Sequence, residues 1–94
     1  MQFAKPPGGF CVDEPPAIAA LIAAHYAKWP RLAQHWIDVK DRLRQTGHRE
    51  GVPVIKGPAG ARLFVADGDA TLPRLRVAYL VLGETLYLKM VTVA

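Results

Sequence analysis

The sequence predicts an α+β domain in which a helical hairpin packs on a small antiparallel sheet of three to four strands. Before Gly51 the apolar residues recur at helical spacing, and after it they are β-branched and alternate with polar ones. The length supports a single core: 94 residues, 51% hydrophobic and 21% charged, are room for one domain and too apolar for disorder. Within that domain, residues 1–14 read as an irregular start or short strand, 15–47 as the helical hairpin and 52–94 as antiparallel strands.

The elements follow in order. Lys5-Pro-Pro-Gly-Gly9 is turn or loop, and Phe10-Cys-Val12 is at most a short strand. Asp13-Glu14-Pro15-Pro16 has the form of a helix start, with a carboxylate near the positive end of the dipole and proline in the first turn. A first helix is expected from about Pro16 to Lys28, with Ile18, Leu21, Ile22 and Tyr26 on one face, and Trp29-Pro30 interrupts it. A second runs from Pro30 to about Gln45, its apolar stripe being Leu32, Trp36, Val39 and Leu43, with Thr46-Gly47 as the C-cap. Val52 to Lys56 is a poor strand because of Pro53, whereas Ala61 to Ala66 is a plausible one. Arg74 to Leu82 and Thr85 to Val93 are the strongest strands, and Gly83-Glu84 between them fits a two-residue turn with glycine first. If Leu86 to Val93 forms an edge, its low charge invites strand addition by a partner.

Composition narrows the function. The single cysteine, Cys11, has no partner in the chain and there is no Cys/His spacing for a metal, which favours a reducing cytoplasm and no cofactor. The apolar run Ala17 to Ala24 falls far short of the roughly 20 residues of a membrane helix, and the first residues lack the plan of a secretory signal, so a soluble, unprocessed protein is expected. Net charge is +4, and each half of the chain holds six Lys/Arg against four Asp/Glu. That mild, even tilt is compatible with RNA, DNA or an acidic protein partner.

The phosphate-binding loop, the dinucleotide-binding glycine pattern, HExxH and GxSxG are all missing, and so is serine. His25, His35 and His48 read as surface or helix-packing groups, Asp38 and Asp41 as solvated charges, and Trp36 as core. The more informative set is Arg62, Arg74, Arg76, Tyr79 and Lys89, all on expected strands. Alternation puts Arg74, Arg76 and Ala78 on one face, and Arg62 and Lys89 join them if the register allows. Cations gathered on a sheet face are suited to holding phosphates or developing negative charge; scattered, they are ordinary surface charge.

At Arg76-Val-Ala-Tyr79-Leu-Val, with the hairpin turn and apolar last strand that follow, the sequence resembles the RelE/ParE superfamily of bacterial type II toxins. A looser likeness covers Leu32 to Arg44 and the approach to Arg62-Leu-Phe-Val. The resemblance implies a RelE-like fold, commonly with a first strand before the helices, and a cognate antitoxin that wraps the toxin into a hetero-oligomer. It also implies one of two targets: mRNA in the ribosomal A site, cleaved without a metal, or DNA gyrase, inhibited by binding. On the cleavage branch Arg76 takes the phosphate with Arg62 as the second catalytic residue, and Arg74, Lys89 and Tyr79 bind RNA or phosphate, with Tyr79 at a position that is more often structural. RelE-like nucleases carry a basic and aromatic segment after the last strand, whereas here no histidine, arginine or tyrosine follows Lys89. Three readings therefore stand together: a ribosome-dependent endoribonuclease toxin, a non-enzymatic binder of the same fold, and an unrelated small α+β interaction module.

Overall fold

The computed structural model describes residues 8–94. Its elements are β1 (Cys11–Asp13), α1 (Pro16–Ala23), α2 (Leu32–Thr46), β2 (Val52–Pro53), β3 (Ala61–Ala66), β4 (Leu75–Leu82) and β5 (Thr85–Val93). The α+β class and the helical hairpin are as the sequence implies, but the sheet is five-stranded, in the order β1-β5-β4-β3-β2. It is also mixed rather than antiparallel, because β1 pairs parallel with β5, Cys11 opposite Thr85 and Asp13 opposite Tyr87. The helices carry the chain from β1 at one margin of the sheet to β2 at the other, and β3 and β4 complete the long connection that the parallel pair requires. The fifth strand is the short segment at Val52–Pro53, tolerated because it lies at the sheet margin, where a proline costs no ladder bond.

Both helices differ in detail from expectation. Regular α1 ends at Ala23; beyond it His25 and Tyr26 donate backbone N–H bonds to Ile22 and Ala23, three residues back, so the last turn tightens before Trp29-Pro30. The carboxylates expected at its start do not cap it: Pro15 is the N-cap, and Glu14 reaches across to α2. There its carboxylate accepts from the Trp36 indole Nε1 at 2.6 Å and from Lys40 Nζ at 2.8 Å. The first helix is thus held by its entry to the second.

Leu32, Trp36, Val39 and Leu43 are all buried, the stripe the spacing predicts, and they pack with Ile18, Ile22 and Phe10 on one side of the sheet. Phe64 of β3, Leu75, Val77, Tyr79 and Val81 of β4, and Leu86, Leu88 and Val91 of β5 meet them. The β4–β5 hairpin turns at Gly83, whose φ is +58°, and among the described residues only glycines have positive φ, as a glycine-first turn requires. The alternation of β5 is broken by a bulge: Ala78 faces Met90 and Tyr79 faces Leu88, which leaves Lys89 as the extra residue. Nor is β5 a simple edge, since β4 lines one side throughout and β1 covers Thr85 to Tyr87 on the other.

Candidate nucleic-acid interface

The sheet has two unlike faces. One is sealed by the helices, and on the other β4 presents Arg76, Ala78, Leu80 and Leu82, opposite the buried Leu75, Val77, Tyr79 and Val81. Arg76 sits between Val65 of β3 and Thr92 of β5, two side chains that share its face. It is exposed, and no hydrogen bond or ion pair holds it among the described residues. Arg74 lies just before β4, where its backbone exchanges both bonds with Ala94. Its guanidinium is half-exposed and only loosely associated with Asp67, at 4.0 Å.

The bulge decides where Lys89 goes. With the phase of β5 shifted, Lys89 and Met90 are both exposed, and the Lys89 ammonium lies 5.4 Å from the centroid of the Tyr87 ring. Tyr87 pairs with Leu80 and so belongs to the helix-free face. That face therefore carries Arg74, Arg76 and Lys89 together with one aromatic ring. Tyr87 is not among the residues the sequence singles out, yet a signal is there: the buried residues Leu86, Leu88 and Val91 step by two and then three, and a step of three within a strand betrays a bulge.

Arg62 does not join this group. It is paired with Tyr79, and both side chains stand on the helix side. Arg62 Nε donates to the Glu50 carbonyl at 2.6 Å and Nη2 to the Gly51 carbonyl at 3.3 Å. Tyr79, only 2% exposed, has its hydroxyl 2.6 Å from the Gly47 carbonyl and 3.1 Å from that of Glu50. Burial pushes its phenol up to about 12, against the pull of the nearby Arg62 guanidinium. Together the two side chains close the loop between α2 and β2 onto the sheet, so Tyr79, expected to bind RNA or phosphate, is instead sealed against the helix side with its hydroxyl already bonded. The expected convergence of Arg62 with Arg76 fails for a simple reason: residues an odd number of register steps apart point to opposite faces.

The other chemistry-bearing groups lie elsewhere. His25 Nδ1 is bonded to the Leu21 carbonyl, and His48 packs against Phe10 with ring centroids 5.5 Å apart. His35 lies on α2 beside β3. Asp38 and Asp41 meet Gln34 and Arg44 on the polar face of α2. Cys11 is exposed on β1, and no group of three His, Cys, Asp or Glu side chains suited to a metal exists among the described residues. No helix among these residues is long and apolar enough to cross a membrane.

Comparison of the chain with protein-family models, with curated proteins and with solved structures finds no match. The helix-free face must therefore be read from its own chemistry. Two arginines and a lysine on one surface neutralise phosphates, which arginine does with bidentate geometry, and a half-buried tyrosine ring beside one of those cations offers an edge or face to a base without regard to sequence. A single-stranded nucleic acid offers both features.

Proposed function

We propose that this chain is the toxin component of a bacterial type II toxin–antitoxin pair of the RelE/ParE kind, and that it blocks translation by engaging mRNA through the helix-free face of its sheet. The observation that carries this reading is the gathering of Arg74, Arg76 and Lys89 on that face, with Arg76 free of any acidic partner among the described residues. A first strand ahead of the helical hairpin, inserted beside the last strand, supports it further, since the resemblance at Arg76 to Val81 implies that element.

On this reading Arg76 holds the phosphate at the centre of the face, Arg74 and Lys89 hold its neighbours, and Tyr87 receives a base. Where the RNA is cut, the nucleophile is its own 2′-hydroxyl attacking the adjacent phosphate, and the task of Arg76 is to stabilise the charge that develops there. Arg62 and Tyr79 act at a distance by fixing the loop after α2. An acidic antitoxin that covers the same face silences the toxin by excluding RNA, in keeping with the +4 charge of the chain.

The test is tightly controlled expression in a bacterium, with protein and DNA synthesis pulse-labelled and Arg76→Ala carried in parallel. Arrest with protein synthesis lost first, relieved by the substitution, is the expected result. Loss of DNA synthesis first would move the target to gyrase. Undisturbed growth with a soluble, folded product would overturn the toxin reading.

A further inference from the structure

The helix-free face is not uniform along its strands. Arg74 and Arg76 stand at one end, while the other end holds a row that crosses three strands in register: Asp13 of β1, Tyr87 of β5 and Leu80 of β4. Val12 and Leu86, which alternate with the first two, turn toward the helices. Asp13 and Tyr87 therefore share the outer face at neighbouring positions, with strands about 4.8 Å apart. Leu82, 48% exposed, extends the apolar part of the row along β4. This end offers the flat, apolar floor that suits a base rather than a phosphate.

Asp13 is the odd group on a face that gathers cations. It is exposed, and its carboxylate has no hydrogen bond or ion pair among the described residues. It does not cap the helix that follows, where Pro15 is the N-cap and no side chain bonds the first turn. Nor does it share the task of Glu14, which is turned to Trp36 and Lys40. Of the other carboxylates near this face, Asp67 lies 4.0 Å from Arg74 at the far end and Glu84 belongs to the hairpin turn. A free carboxylate repels phosphate, so on a surface blind to sequence it only weakens binding. Beside an aromatic ring it reads the edge of a base.

The chemistry of that edge selects one base. An ionised carboxylate accepts hydrogen bonds and donates none. Two parallel N–H bonds to it require two donors side by side, which guanine presents on its Watson–Crick edge as N1–H and the N2 amine. Adenine and cytosine set one amine beside a ring-nitrogen acceptor, and uracil flanks its N–H with two carbonyls, so each turns a lone pair toward the second carboxylate oxygen. Resting on the RNA reading of this face, we infer that Asp13 is a specificity-determining residue that selects guanine. The base lies over Tyr87 and Leu80, its Watson–Crick edge meets the Asp13 carboxylate, and Lys89, 5.4 Å from the centroid of the Tyr87 ring, holds the phosphate of the same nucleotide.

Four RNA hexamers serve as probes of the whole chain: hexauridylate, and the same strand with one central guanosine, inosine or adenosine. Inosine keeps N1–H and lacks the amine, and adenosine stacks as a purine without the donor pair. The guanosine strand is expected to bind roughly tenfold more tightly than hexauridylate, the discrimination of one bidentate pair, with inosine between them and adenosine near hexauridylate. Asp13→Asn, on the surface, should bring guanosine and uridine strands within about twofold of each other and leave hexauridylate bound as tightly as before or more so, since only a repulsive charge is lost. Equal affinity for guanosine and adenosine strands, or a guanosine preference that survives Asp13→Asn, would overturn the role of Asp13 while binding that still depends on Arg76 left the RNA reading standing. No binding of any hexamer, or binding indifferent to Arg76→Ala, would refute the RNA reading and the inference with it.

Discussion

Arg62 lies opposite Tyr79 and Arg76 lies opposite Val65 on the same pair of strands, so the two guanidiniums stand on opposite faces of the sheet. One is turned inward to carbonyls and the other outward to solvent. Their substitutions should therefore separate cleanly. Arg62→Ala removes the bonds to Glu50 and Gly51 and is expected to lower stability by about 1–2 kcal/mol while leaving nucleic-acid affinity within twofold. Arg76→Ala should do the reverse, and urea unfolding beside a binding titration checks both.

Tyr79→Phe deletes the hydroxyl bond to the buried loop carbonyl of Gly47 and should cost about 1–3 kcal/mol in the same unfolding assay. The folded phenol titrates near 12 instead of its ordinary 10.0. The folded state thus keeps a proton that the unfolded chain releases. This contribution is fully present below pH 10 and is lost as pH rises toward 12, so the unfolding midpoint should fall across that window in the parent and less steeply in Tyr79→Phe.

Gly47 sits where α2 passes over β5, and a Cβ there would lie 2.4 Å from both the Leu43 carbonyl and Leu86 Cδ1. Its φ of −59° is one any residue adopts, so close approach alone demands glycine. Gly47→Ala should destabilise by about 1–3 kcal/mol through overpacking, measurable as a drop in Tm.

Glu14→Ala leaves the indole N–H of the buried Trp36 without its acceptor and frees Lys40. We expect a loss of about 1–3 kcal/mol and a shift in tryptophan emission, with Glu14→Gln recovering part of the stability because its amide oxygen still accepts.

Much of this was legible in the chain. The stripe of Leu32, Trp36, Val39 and Leu43 announced the face α2 buries, and the alternation in β4 announced which residues meet it. Hidden were the features set by non-local pairing. Nothing local in Cys11–Asp13 says that it pairs parallel with β5, and the register between β3 and β4, which separates Arg62 from Arg76, depends on contacts far apart in sequence. Glu14 read as a helix-start charge because its partners on α2 lie 22 and 26 residues away. Lys89 was placed by a bulge, visible only as a slip in the spacing of buried residues.

The measurement that bears most directly on the helix-free face is binding of a short single-stranded RNA as a function of salt, for the parent chain, Arg76→Ala and Arg62→Ala. We expect the slope of log affinity against log salt to fall by about 0.7 in Arg76→Ala, the value of one phosphate contact on a single strand, and to stay at the parental value in Arg62→Ala. Equal loss in the two variants, or an RNA affinity indifferent to Arg76, would contradict the assignment of that face to nucleic acid.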